Sequence, residues 1–144
     1  MSVAALSELI TRLPDDLREQ ALTHSSWTED RAESYERLAY LGDSVLALAV
    51  ARDLVDRFPE VDAGGLTKIH NQAVRGASCA EIGRELGVPE MLRASEPKGM
   101  QAGIPAEVLL SGERPLPEAT EALIGACLLA FGFEQVSRAV AEAF

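Results

Sequence analysis

The chain has 144 residues, of which 47% are hydrophobic. That is enough for one domain with a real core, over residues 1–144, and it excludes a disordered chain. A formal net charge of −10 excludes an evenly basic nucleic-acid-binding surface, so a polyanionic partner has to be met by a local basic patch, by divalent cations, or by both.

Aromatic residues make up only 5% while Ala and Leu abound, which favours helices over sheet and sets the expected fold class as all-α. Met1 to Leu6 lacks the basic start and long apolar run of a signal peptide. No stretch approaches the ~18 uninterrupted apolar residues of a membrane span, so a soluble, cytoplasmic protein is expected. Cys79 and Cys127 lie in apolar helical contexts with no zinc-ligand spacing and read as small buried hydrophobes in a reducing compartment.

In chain order, Ser2 to Arg12 reads as a short amphipathic helix on Leu6, Leu9, Ile10 and Leu13, ended by Pro14. Asp15 and Asp16 open a second helix that holds Leu17, Ala21 and Leu22 and gives way around Thr23 to Trp27. A polar linker, Thr28 to Ser34, leads to a long helix from Tyr35 to about Arg57, with Ser34 as its expected N-cap. Leu38, Leu41, Val45, Leu48 and Ala49 draw its apolar face. Phe58-Pro59 closes it, and Glu60 to Gly65 is a turn by composition. Leu66 to Leu86 reads as one helical run, with Ile69, Ala73, Ala77, Ala80, Ile82 and Leu86 inward and Gly87 as its stop. Val88 to Leu92 predicts a short turn of helix, Ser95 to Gly103 a loop, and Ile104 to Leu110 either helix or irregular chain. Ser111 to Pro117 breaks the chain before an almost wholly apolar helix, Glu118 to Phe131, which belongs at the core centre. Gly132 stops it, and Glu134 to Phe144 forms a last amphipathic helix.

Two acid pairs interrupt these apolar helices. Glu36 and Asp43 are seven residues apart, near two turns, and project from nearly the same side of the long helix. Asp43 sits among Leu, Gly, Val and Ala, where a carboxylate is costly without a compensating donor or cation. Glu118 and Glu121 are three apart on one face at the start of the central helix, where acids also complement the helix dipole. Two carboxylate pairs on facing helices are a known way to hold a hard divalent cation in a helical core. Gly42 beside Asp43 costs ~1 kcal/mol in a helix interior and points to a close helix approach.

Glu36-Arg37-Leu38-Ala39-Tyr40-Leu41-Gly42-Asp43-Ser44 resembles the ribonuclease III signature, whose usual form is E-R-L-E-F-L-G-D-S. Three flanking segments are also similar to that family: Ala21-Leu22-Thr23-His24-Ser25-Ser26-Trp27; Phe58-Pro59 with Gly64 and Leu66-Thr67-Lys68, followed by Arg75; and Glu118-Ala119-Thr120-Glu121-Ala122-Leu123-Ile124-Gly125-Ala126. The resemblance implies an all-helical, symmetric homodimer that hydrolyses double-stranded or structured RNA with Mg²⁺, or Mn²⁺ in its place. The resemblance also points to a ribosomal RNA precursor as substrate. Carried over residue by residue, Asp43, Glu118 and Glu121 are the implied metal site, and Glu36 joins them as a catalytic residue near substrate and dimer interface. Arg37, Lys68, His70 and Arg75 are the implied RNA contacts, with Arg114 a further basic candidate.

The chain departs from the pattern at Ala39, where the family has its second signature Glu, at Glu118, where it has Asp, and at Ala63, where an acid commonly precedes the turn. The Mini-ribonuclease III branch is similar at Leu38-Ala39-Tyr40-Leu41-Gly42-Asp43, and like that branch the chain carries no double-stranded-RNA-binding domain after Phe144, so a stand-alone catalytic domain is expected. Glu36, one turn before Ala39, is a candidate to compensate for it. His24 reads as a hydrogen-bonded structural histidine, and Trp27 and Tyr40 as core or interface packing, since double-stranded RNA offers no free bases to stack. Two other functions stay open. One is a catalytically weakened relative that binds RNA or a ribonucleoprotein. The other is a metal-dependent phosphohydrolase of small nucleotides.

Overall fold

The computed structural model describes residues 1–99 and 102–144. Among them the chain is helical throughout, with no strand. The helices are α1 (Ala4–Thr11), α2 (Asp15–Ala21), α3 (Glu36–Arg57), α4 (Ala63–Val74), α5 (Gly76–Leu86), α6 (Val88–Ser95), α7 (Ala106–Ser111), α8 (Pro115–Phe131) and α9 (Phe133–Ala143). Two 3-10 turns, Ser25–Trp27 and Arg31–Glu33, shape the linker between α2 and α3.

The apolar run of α8 is the axis of the core. Ala119, Ala122, Leu123, Ile124, Ala126 and Cys127 are fully buried, and each fully buried Leu or Ile contributes roughly 1.5–3 kcal/mol. The long helix α3 crosses α8 on one side and α5 packs on another. Helix α9, through Val136 and Val140, and α1, through Leu6 and Ile10, close the remaining faces. The Ser2 amide donates to the Glu142 carbonyl at 2.8 Å, joining the two ends of the chain.

Glycine sets the α3–α8 crossing. A Cβ on Gly42 would overlap the carbonyl of Glu121, and a Cβ on Gly125 would overlap the carbonyl of Leu38. Only glycine at both positions lets backbone lie on backbone. The expected close approach beside Asp43 is therefore present, and its partner is the start of the second acid pair.

Several boundaries differ from expectation. Helix α3 starts one residue after Tyr35, though buried Ser34 still serves it, its hydroxyl accepting from the Glu36 amide at 3.3 Å. The run expected from Leu66 to Leu86 is two helices, α4 and α5, bent apart at Arg75 (φ −61°, ψ 157°). Gly76 follows with no side chain to hold helical geometry, and the Ser78 hydroxyl donates to the Gln72 carbonyl left over at the end of α4. Gly64 and Gly65 lie inside α4 because the Asp62 carboxylate accepts the Gly65 amide at 2.9 Å. Asp62 thus supplies a cap one position before Ala63. Helix α8 begins at Pro115, where a missing amide costs nothing. Helix α6 extends to Ser95, and the segment Ile104 to Leu110 resolves into the start of α7. The expected loop from Ser95 to Gly103 includes residues 100 and 101, which lie outside the described residues.

The apolar face of α3 also differs. Leu38, Gly42, Val45, Leu46 and Ala49 point inward, whereas Leu48 is 57% exposed and Tyr40 80% exposed. Tyr40 is therefore not core packing. Helix α4 has no buried residue, Ile69 lies at its surface and Ala77 on α5 is exposed. Hydrophobic periodicity finds an apolar stripe but not what covers it.

Candidate active site

The α3–α8 crossing brings the two acid pairs into one row. Asp43 follows Gly42 on α3, and Glu121 is the residue whose carbonyl Gly42 abuts on α8. Their carboxyl groups come within hydrogen-bonding reach. Burial, the hydrogen bond with Asp43 and then the charges of Asp43 and Glu118 push the Glu121 carboxyl up to about 8. The burial cost expected at Asp43 falls on Glu121 instead: Asp43 is at the surface, and Glu121 is half-buried in the crossing.

Glu118 is one turn before Glu121 and half-buried. Burial raises its carboxyl, the Arg114 guanidinium opposes the shift, Glu36 adds to it and Arg31 lowers it. Arg114, the residue before α8, lies 3.8 Å from Glu118. Glu36 forms the far end of the row. Arg31, from the second 3-10 turn, grips it with two bonds of 2.8 Å, Nε to Oε1 and Nη2 to Oε2. These bonds, with help from the Ser25 hydroxyl, hold the Glu36 carboxyl below its usual range. Glu36, the candidate to compensate for Ala39, is thus an ionised carboxylate already paired with Arg31.

Buried Tyr35 lies against this end of the row. Burial pushes its phenol up, and Glu118 and Glu36 push it further, so it stays neutral. On α5, burial raises the Cys79 thiol to about 12, with Glu121 and Asp43 adding to the shift, so Cys79 stands within electrostatic reach of the central pair. Cys127 is raised to about 12 by burial alone. Both thiols are free, buried and unreactive.

The other candidates separate into two groups. His24 is structural, as expected. Its Nδ1 accepts the Ser26 amide at 3.0 Å, its ring meets Tyr35 edge-on at 5.7 Å, and burial lowers its basicity. Trp27 donates from Nε1 to the Ile104 carbonyl at 2.7 Å and fastens the chain before α7. His70 is half-buried and its Nε2 pairs with the Ala47 carbonyl at 2.9 Å. That bond ties α4 to α3 and engages one ring nitrogen of the expected RNA contact. Arg37, Lys68 and Arg75 are exposed and make no ion pair among the described residues. Arg31 escaped sequence reasoning because it lies five residues before Glu36 in a separate turn, so no helical spacing marks the pair.

Among the described residues no three His, Cys, Asp or Glu side chains draw into a ready-made metal cluster. The convergent donors are the two carboxylates of Asp43 and Glu121, with Glu118 coupled to the latter. An all-oxygen set of this kind suits a hard cation that keeps several waters, and a carboxyl held up near 8 is one that a cation would discharge.

The chain matches the ribonuclease-III-like family model over residues 14–144. It is 38% identical over 129 residues to a ribonuclease 3 of Methylocella silvestris, covering 90% of this chain and 52% of that protein. It is 36% identical over 141 residues to a ribonuclease 3 of Anaplasma phagocytophilum, covering 94% of this chain and 57% of that protein. The chain thus spans about half the length of the curated relatives it matches. Among solved structures it is similar to the nuclease domain of ribonuclease III from Campylobacter jejuni, with a TM-score of 0.77, 29% identity and coverage of 99% of this chain and 95% of that one. That structure is described as flexible in a region involved in dimer formation. With the acid row in place at the α3–α8 crossing, and the family match running through both helices, the chain belongs to the ribonuclease III-like family.

Proposed function

We propose that the chain is a Mg²⁺-dependent endoribonuclease of double-stranded or structured RNA, acting as a homodimer. The observation that carries this reading is the approach of Asp43 and Glu121 across the glycine crossing of α3 and α8. Asp43 and Glu121 would hold the cation, and Glu118 would orient a ligand or water beside it. When bound, such an ion acidifies water and offsets charge on the scissile phosphate. The protein's own part is positional. The crossing fixes the two carboxylates, Arg31 holds Glu36 ionised at the far end of the row, and Tyr35 keeps a neutral phenol beside Glu118. In the absence of the cation, the Glu121 carboxyl holds a proton shared toward Asp43. The test is cleavage of a labelled RNA duplex at low salt with Mg²⁺ or Mn²⁺, which should be abolished by chelation. No cleavage with either metal would refute it.

The raised Glu121 carboxyl makes stability depend on pH. Its folded value of about 8 exceeds the ordinary 4.5, so the metal-free folded state binds the extra proton. The favourable contribution is complete below about pH 4.5 and is lost as pH rises to about 8. Thermal melts in chelator should fall by several degrees across that window, and Mg²⁺ should flatten the slope. A slope unchanged by Mg²⁺ would count against this pair as the metal site.

Support for the dimer comes from an outward apolar stripe on α3, where Tyr40 is 80%, Leu48 57% and Val55 59% exposed, and from the absence of any buried residue on α4. Patches of this kind mark protein interfaces. Sedimentation should give about twice the 15.4 kDa chain mass. A monomer at tens of micromolar would remove the dimer.

A second reading, a catalytically weakened RNA- or ribonucleoprotein-binding relative, is favoured by one observation: Ala39 supplies no third carboxylate. The same cleavage assay separates the two.

A further inference from the structure

A groove of about 1130 Å³ runs from Glu118 away from the acid row, between α5, α6 and the start of α8. Three guanidinium groups from three separate elements line it: Arg84 of α5, Arg93 of α6 and Arg114 before α8. The carboxylates of Glu90, Glu113 and Glu118 line it too, so the groove is balanced in charge within a chain of net charge −10, and a phosphate there has to be held by the guanidinium groups themselves. Arg84 makes no ion pair among the described residues. Arg114 is only loosely held, 3.8 Å from Glu118 and 88% exposed. Arg93 pairs with Glu107 at 2.6 Å and with Glu90 at 3.7 Å, both exposed. Exposed pairs are weak, and a phosphate can replace a carboxylate on each guanidinium.

The α5 side of the groove presents the small residues Gly76, Ala77 and Ala80, so a chain can lie close to that helix. Among the described residues no aromatic side chain lines it. It can therefore grip a backbone but gives bases no platform to stack on. Its volume is comparable to that of a small-molecule site. A duplex, recognised across its broad minor groove, would ride over such a slot and not enter it.

We infer that this groove holds a short unpaired stretch of RNA that continues from the strand being cut. The inference rests on the ribonuclease reading and adds a preference for junctions between duplex and single strand. Arg84 and Arg114 bind successive phosphates, and Arg93 takes a further one by exchange with Glu90.

The test uses the full chain with Mg²⁺ and labelled duplexes, either flush-ended or extended on the cut strand by about four to six unpaired nucleotides at its 5′ or 3′ side. One extended form should have a kcat/KM roughly three- to tenfold above the flush duplex. Arg84→Ala and Arg114→Ala should each move that ratio toward one, and the double variant should abolish it. Arg138→Ala, on the exposed face of α9, should leave the ratio as in wild type. Equal cleavage of all three duplexes by the wild type, or a preference that survives the double variant, overturns the inference. If no RNA is cut, the ribonuclease reading fails and fluorescence anisotropy of the same RNAs decides the groove. Tighter binding of an extended duplex that the double variant removes supports it, and equal binding refutes it.

Discussion

Asp43→Asn should lower the rate of duplex RNA cleavage by at least about 10²–10³-fold while leaving the fold intact. The substitution keeps the size of the side chain and removes one of two convergent carboxylates. It also relieves Glu121, whose raised carboxyl owes part of its shift to Asp43. An amide at position 43 can donate to the Glu121 carboxylate, so the metal-free variant should melt at or above the wild-type temperature at neutral pH. Rising stability with lost activity separates a missing ligand from a damaged fold. Wild-type rates in Asp43→Asn would refute the assignment of this residue.

Gly42→Ala should have the largest effect on the fold. Its Cβ would meet the Glu121 carbonyl oxygen and carbon and the Gly125 amide, all of them backbone. No side chain can turn aside, so α3 and α8 must separate. The expected cost is about 3 kcal/mol or more, beyond the usual range of overpacking, with melting lowered by about 10 °C. Cleavage should fall with it, because Asp43 and Glu121 part as the helices do. Gly64→Ala is the contrast. A Cβ there has only the Asp62 carboxylate near it, at 3.7 Å, and the change should be neutral or slightly stabilising. Wild-type melting of Gly42→Ala would show that the crossing is looser than described.

Much of this arrangement could be read in the chain. The long periodic runs of α3 and α8 announce themselves, and Gly42 inside the first already signalled a close neighbour. What no single helix reveals is which carboxylate the neighbour covers. Asp43 looked buried because its sequence neighbours are apolar, yet the crossing leaves it at the surface and shuts in Glu121. The bend at Arg75 is hidden in the sequence because an apolar period of three and four continues through it, whereas the extended backbone of Arg75 and the bonds from Ser78 to Gln72 and Cys79 to Val74 mark the end of α4. The pairing of Glu36 is invisible in the sequence, because its partner Arg31 lies in a turn with no periodic relation to it. His70 followed the same logic in reverse. A basic residue on a polar helix reads as free until its partner, a backbone carbonyl on α3, is in view.

The most direct measurement is the anomalous scattering of Mn²⁺ in crystals grown with that ion. A peak shared by Asp43 and Glu121 is expected, and it should disappear in Asp43→Asn. An ion bound elsewhere, or none at this pair in a protein that still cuts RNA, would contradict it.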